Sequence, residues 1–196
     1  PYKNETSDRR VSMLILGDST AFGVGASNPE ESLAGRLAKE VSATYAENYA
    51  VSGAQVRDIK RQIGYAKLED YSFILIQIGA NDIIRFRGAK EKAGELSLML
   101  KNLPTANKTF LLTAGNVGAA TLFPLLFRPF YTKLNLEYHE AFAIAAKELG
   151  IKYVNLYKPK EEDPFVKNPE IYLAKDGLHP SSEGYRLWFE SLKQVL

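Results

Sequence analysis

Five times along this chain, an apolar run short enough to be a strand is followed by residues whose apolar members recur at helical spacing. Three of the five runs stop at a glycine. Val11–Leu16 ends at Gly17, Phe73–Ile78 at Gly79 and Thr109–Ala114 at Gly115. Tyr45–Val51 and Lys152–Leu156 supply the other two strand candidates. Between them, Leu33–Val41 carries Leu33, Leu37 and Val41 on one stripe, with Pro29, Glu30 and Glu31 suited to that helix's first turn. Val56–Ile63, Ala93–Leu103 and Leu134–Leu149 read as further helices, the last closed by Gly150. Tyr185–Leu196 reads as the closing helix, entered through Pro180-Ser181-Ser182-Glu183. Apolar runs with no alternation are strands buried on both faces, and strict alternation with helices argues a parallel sheet covered on both sides. With 196 residues, 45% of them hydrophobic, and neither repeat nor linker, the chain is expected to be one α/β domain over 1–196, with a loose N-terminal segment at 1–10. Two stretches resist assignment, Gly115–Tyr131 and Tyr157–Lys175. Unstructured connections of that length are often functional.

In such folds ligands bind beyond the carboxyl ends of the strands. After the first strand comes Gly17-Asp18-Ser19-Thr20, after the second Ser52-Gly53, and after the third Gly79-Ala80-Asn81-Asp82. Asp176-Gly177-Leu178-His179 follows the fifth, before the last helix. These are the parts of an acyl-transfer site. A serine hydroxyl needs an adjacent base to become a nucleophile, and histidine suits that role. A carboxylate is needed to hold the imidazole's tautomer and stabilise its charge. Ser19 is therefore the candidate nucleophile, His179 its base and Asp176 the orienting acid. The backbone N–H groups of Ser19 and Gly53 and the side-chain amide of Asn81 are the candidate donors to an oxyanion.

At these residues the sequence resembles the SGNH hydrolases, also called the GDSL lipase/esterase family. Gly17-Asp18-Ser19, Gly53, Gly79-Ala80-Asn81-Asp82 and Asp176-x-x-His179-Pro180 match four of the family's blocks in order. Thr20 stands where the name motif has leucine, a position without a chemical role. The resemblance implies a flavodoxin-like three-layer fold with strand order 2-1-3-4-5. It also implies the roles just given for Ser19, Gly53, Asn81, Asp176 and His179, and a reaction without metal or organic cofactor. Among members the chain looks most like small single-domain bacterial esterases of the lysophospholipase and arylesterase type. An O-acetyl-glycan deacetylase or an acetyltransferase would use the same residues. A binding module, either FMN-type with Gly17–Thr20 as its anion loop or a catalytically silent hydrolase domain, stays as a further alternative.

Composition narrows the rest. There is no cysteine, which removes disulfides, thiolate metal sites and cysteine nucleophiles. Only His139 and His179 exist, so no HExxH pair forms and no metal site is expected. His139 is expected to be a surface or partly buried residue without chemical duty. Lys plus Arg total 25 against 23 acids, with no concentrated basic run, so nucleic acid is not an expected partner. Gly23-x-Gly25 is not a dinucleotide loop, because Asn28 stands where a third glycine belongs. Asp82 is expected to hold its loop, and Arg85 and Arg87 to lie on a solvated face. Gly118–Tyr131 has two functional readings, an acyl-chain wall and a membrane-surface contact through Phe123, Leu125, Leu126 and Phe127, and the wall is preferred. The expected substrate-binding residues are Thr20, Leu122, Phe123, Phe127 and Leu178, and the expected substrate is an acyl ester or an acylated lipid or glycan. The absence of cysteine and a first residue other than methionine lean toward an exported or membrane-tethered bacterial protein over a cytoplasmic one.

Overall fold

The computed structural model describes residues 11–196. The segment 1–10, expected to be loose, lies outside the described residues. The strands are β1 (Ser12–Gly17), β2 (Tyr45–Asn48), β3 (Asp70–Gln77), β4 (Thr105–Leu112) and β5 (Lys152–Val154). They form one all-parallel sheet in the order β2-β1-β3-β4-β5, as the sequence resemblance implies. The helices are α1 (Ser19–Phe22), α2 (Leu33–Glu40), α3 (Ile59–Ile63), α4 (Ala80–Ile84), α5 (Ala89–Leu100), α6 (Arg128–Glu148), α7 (Pro164–Lys167), α8 (Pro169–Tyr172) and α9 (Ser182–Lys193).

The pleat of the central strands sorts their side chains between two cores. Leu14, Leu16, Ile74, Ile76 and Leu111 face one side, with Leu96 of α5 and Tyr138 and Phe142 of α6. Met13, Ile15, Leu75, Phe110 and Leu112 face the other, with Leu37 of α2 and Tyr185 and Leu192 of α9. A strand whose successive residues point to opposite faces must be apolar throughout when both faces are covered. That accounts for the unbroken runs in β1 and β3.

Boundaries moved where local chemistry outweighed periodicity. Ser32 caps α2 by accepting the Gly35 N–H at 3.0 Å. Pro29–Glu31 therefore forms a separate tight turn capped by Asn28, not the helix's first turn. Val56–Ile63 splits into a tight turn, Val56–Asp58, and α3. Helix α6 begins six residues earlier than its apolar stripe suggests, at Arg128, because Pro129 presets the backbone angle of a first turn. The two unassigned stretches contain a tight turn at Val117–Ala119, the start of α6, and the short helices α7 and α8. Gly150 follows α6 at φ +67°, as expected of a residue just past a helix end.

Candidate active site

Strand β1 delivers its last residue, Gly17, into a place where only glycine fits. At φ +140°, a Cβ would lie 1.9 Å from Gln77 O on β3. The chain then turns into α1 through Asp18, whose Oδ1 accepts from Thr20 N at 2.9 Å and Thr20 Oγ1 at 2.7 Å. Burial pushes the Asp18 carboxyl up to about 6. This cap sets Ser19 at the first position of the helix.

The Ser19 hydroxyl lies 2.9 Å from Nε2 of His179. On the far side of the ring, Nδ1 lies 2.6 Å from Asp176 Oδ2. Asp176 Oδ1 accepts the N–H groups of Leu178 at 2.9 Å and His179 at 3.0 Å. A single turn of loop thus fixes both the carboxylate and the imidazole. Partial burial pushes the Asp176 carboxyl up, but the His179 ring and these two N–H groups outweigh it and hold it below the ordinary carboxylate value.

The expected oxyanion donors converge on the same spot. Ser19, Gly53 and Asn81 all line one cavity of about 250 Å³ with His179. Among the described residues, no acceptor takes the N–H of Ser19 or of Gly53. Gly53 has φ +82° and no atom within 4 Å of a Cβ position, so its backbone is open to a ligand. Asn81 Nδ2 donates to Ala54 O at 3.1 Å, which ties the loop after β3 to the loop after β2. Asp82 is fully buried, and its Oδ2 accepts the Val56 N–H at 2.9 Å. It holds the loop, as expected.

The walls differ in part from those expected. Thr20 and Leu178 line the cavity. Leu122, Phe123 and Phe127 do not line it. The wall from that segment ends with Val117, Ala119 and Ala120. The Leu122 N–H then donates to Gly177 O at 3.0 Å, and the chain runs outward. Leu122 and Phe127 are exposed, and Phe123 packs on Tyr131 with ring centroids 4.3 Å apart. The apolar wall is instead completed by Leu156, Phe165, Leu173 and Trp188, with the buried Asp163. Sequence reasoning missed these, although the length of the irregular stretch 157–175 had marked it as a candidate. Asp163 Oδ1 accepts the Phe165 N–H at 2.9 Å, and burial pushes its carboxyl up to about 6.

His139 is more deeply placed than expected, at 4% exposure in α6. Its Nε2 donates to Ala114 O at 3.0 Å, and its Nδ1 accepts from the Tyr153 hydroxyl. Burial pushes the imidazole down to about 4, against the pull of its contacts with the Gly115 and Ala114 carbonyls. Arg85 and Arg87 are exposed. Among the described residues no group of three or more His, Cys, Asp or Glu side chains could hold a metal ion.

A five-stranded parallel sheet in this order, covered by helices on both faces, is the fold of the SGNH hydrolases. Residues 15–187 match the GDSL-like lipase/acylhydrolase family, and the chain belongs to it. It is 27% identical over 197 residues to a GDSL-like esterase of Mycobacterium tuberculosis, covering 90% of this chain and 59% of that protein. The chain therefore spans about three-fifths of that relative's length. Its fold is shared with a member of the lipolytic protein G-D-S-L family from Veillonella parvula (TM-score 0.74, 18% identity, 94% of this chain and 97% of that one). It is also shared with phospholipase A1 from Streptomyces albidoflavus (TM-score 0.68, 15% identity, 95% of this chain and 100% of that one). The family is one of lipases and acylhydrolases, so ester hydrolysis is the general chemistry that membership supports.

Proposed function

We propose that the chain, acting as a single domain, hydrolyses carboxylic esters through an acyl-enzyme on Ser19. The observation that carries this reading is the placement of the His179 ring, 2.9 Å from the Ser19 hydroxyl and 2.6 Å from the Asp176 carboxylate. His179 Nε2 takes the hydroxyl proton as Ser19 Oγ attacks the ester carbonyl. Asp176 keeps the other ring proton on Nδ1 and stabilises the imidazolium. The N–H groups of Ser19 and Gly53 and the amide of Asn81 receive the charge that develops on the carbonyl oxygen. Collapse of the tetrahedral intermediate expels the alcohol, which leaves with the proton returned by His179. Water then enters, gives a proton to His179 and releases the acid by the same path in reverse. The cavity's mostly apolar walls suit an acyl group or an apolar alcohol.

The test is Ser19→Ala. Hydrolysis of p-nitrophenyl acetate should fall by about 10⁴-fold or more, with the circular dichroism spectrum unchanged. A fluorophosphonate probe should label the parent protein and not the variant. Retention of most of the activity would overturn the assignment.

A further inference from the structure

Six large apolar side chains beside the cavity stand in solvent: Phe86, Leu122, Leu125, Leu126, Phe127 and Phe130, each 48–76% exposed. Five of the six come from one short run of chain, and Phe86 joins them by stacking on Tyr131, ring centroids 5.1 Å apart. Phe86 also holds φ +55°, a backbone angle that is costly for an aromatic residue. Native surfaces rarely gather so much apolar area without a partner for it.

The run is anchored to the catalytic loop. Leu122 N and Thr121 Oγ1 both donate to Gly177 O, at 3.0 and 3.4 Å, and Gly177 sits between Asp176 and His179 in the chain. The same run, one residue earlier, supplies the cavity wall at Ala120. The exposed apolar face and the opening to Ser19 therefore share one rim.

The two chain segments that carry the exposed apolar face hold charges of a single sign. Residues 83–90 and 118–136 contain Arg85, Arg87, Lys90, Arg128 and Lys133 and no acid. A groove of about 460 Å³ runs beside the exposed leucines and shares Asn116, Ala119 and Phe165 with the catalytic cavity. Its charged lining is Arg128, Lys133 and Lys160, with no carboxylate among the described residues. An apolar belt bordered by cations matches a lipid surface of negative charge. Leucine and phenylalanine enter the boundary between headgroups and acyl chains, while arginine and lysine meet the phosphates.

We propose that this face docks on an anionic phospholipid surface, with Leu125 and Leu126 inserted, the Arg128–Lys133–Lys160 groove against the headgroups and the mouth of the Ser19 cavity at the interface. No helix among the described residues is long and apolar enough to cross a membrane, and the contact proposed is a surface one. It deepens the esterase reading by naming where substrate is met, and vesicle binding itself does not depend on catalysis.

The experiment is co-sedimentation of the full chain with vesicles of equal parts phosphatidylglycerol and phosphatidylcholine, and with phosphatidylcholine alone. The parent should partition onto the anionic vesicles at least about tenfold better than onto the neutral ones, and less so as salt rises. Leu125→Ser with Leu126→Ser should lose about tenfold or more of that binding and keep its hydrolysis of p-nitrophenyl acetate in solution, since both side chains are exposed. Ser19→Ala should bind vesicles as the parent does, so failure of docking and failure of the esterase reading are told apart. Binding that is absent, or indifferent to lipid charge or to the leucine substitutions, would overturn the proposal. So would a mass of two chains in light scattering that reverts to one in Leu126→Glu, because the face would then be a dimer interface.

Discussion

The side-chain amide of Gln62 clasps the backbone of Gly17: Oε1 accepts the Gly17 N–H at 2.7 Å and Nε2 donates to Gly17 O at 2.8 Å. Strand β2 has ended at Asn48, opposite Ile15, and it is the Gln62 side chain, not a strand carbonyl, that accepts that N–H. Helix α3 satisfies it from the face of the sheet. In Gln62→Leu the carbonyl keeps its bond from Val51 N at 3.0 Å, but the buried N–H is left without an acceptor. The expected loss is about 1–3 kcal/mol, read by urea denaturation. Because Gly17 lies two residues before Ser19, kcat on a soluble ester should fall while KM changes little. Unchanged stability would refute the clasp's role.

Gly25 owes its identity to the loop that carries His179 and Pro180, not to a nucleotide. It holds φ +96°, and a Cβ there would lie 2.3 Å from Pro180 O and 3.0 Å from His179 Cβ. Gly25→Ala should destabilise the fold by about 1–3 kcal/mol through overpacking and should lower esterase activity by displacing His179. Gly94→Ala is the control. That glycine is exposed within α5 with open space at its Cβ, so alanine should stabilise by about 0.5–1 kcal/mol without touching activity. Equal activity in the two variants would separate Gly25 from the site.

His139 should make the fold acid-sensitive. Its imidazole is held down at about 4, below the ordinary value near 6.5. Between those values the unfolded chain binds the proton and the folded one does not, so stability is lost as pH falls from about 6.5 through 4. Asp18 and Asp163, both pushed up to about 6, act in the opposite sense: the folded state holds their protons longer, and their contribution is lost as pH rises through 6. Comparing variant with parent cancels the two aspartates. The difference in unfolding free energy between the parent and His139→Asn should shift against the parent as pH falls from 6 to 4, by up to about 1.4 kcal/mol per pH unit. Parallel curves would show that His139 does not titrate with unfolding.

Much of the fold was legible because burial on both faces leaves a local mark. Met13–Leu16 in β1 and Phe73–Ile76 in β3 are unbroken apolar runs, and the stripes in α2 and α6 keep helical spacing. The ends of elements were less legible, since they depend on a single residue, as with the Ser32 cap of α2 and the Pro129 ring in the first turn of α6. The polar residues at the strand ends could be picked out because glycine, serine, asparagine and histidine have no reason to gather there in a packed core. The cavity wall was another matter. Leu122, Phe123 and Phe127 have the composition of a pocket lining, yet the bond from Leu122 N to Gly177 O turns the chain outward. Phe165, Leu173 and Trp188, distributed over a loop and the last helix, line the pocket in their place.

From the sequence alone follow the alternation of strand and helix, the parallel sheet it demands and the short list of residues able to support acyl transfer, because each is written in local spacing and residue chemistry. The tertiary structure decided which side chains meet. It set His179 against Ser19 across 160 positions of chain, put Gln62 on Gly17 and turned the leucines of the 122–130 run to solvent. Those outcomes rest on contacts between segments distant in sequence, and hydrophobic periodicity reports which face of an element is buried without naming the neighbour that buries it.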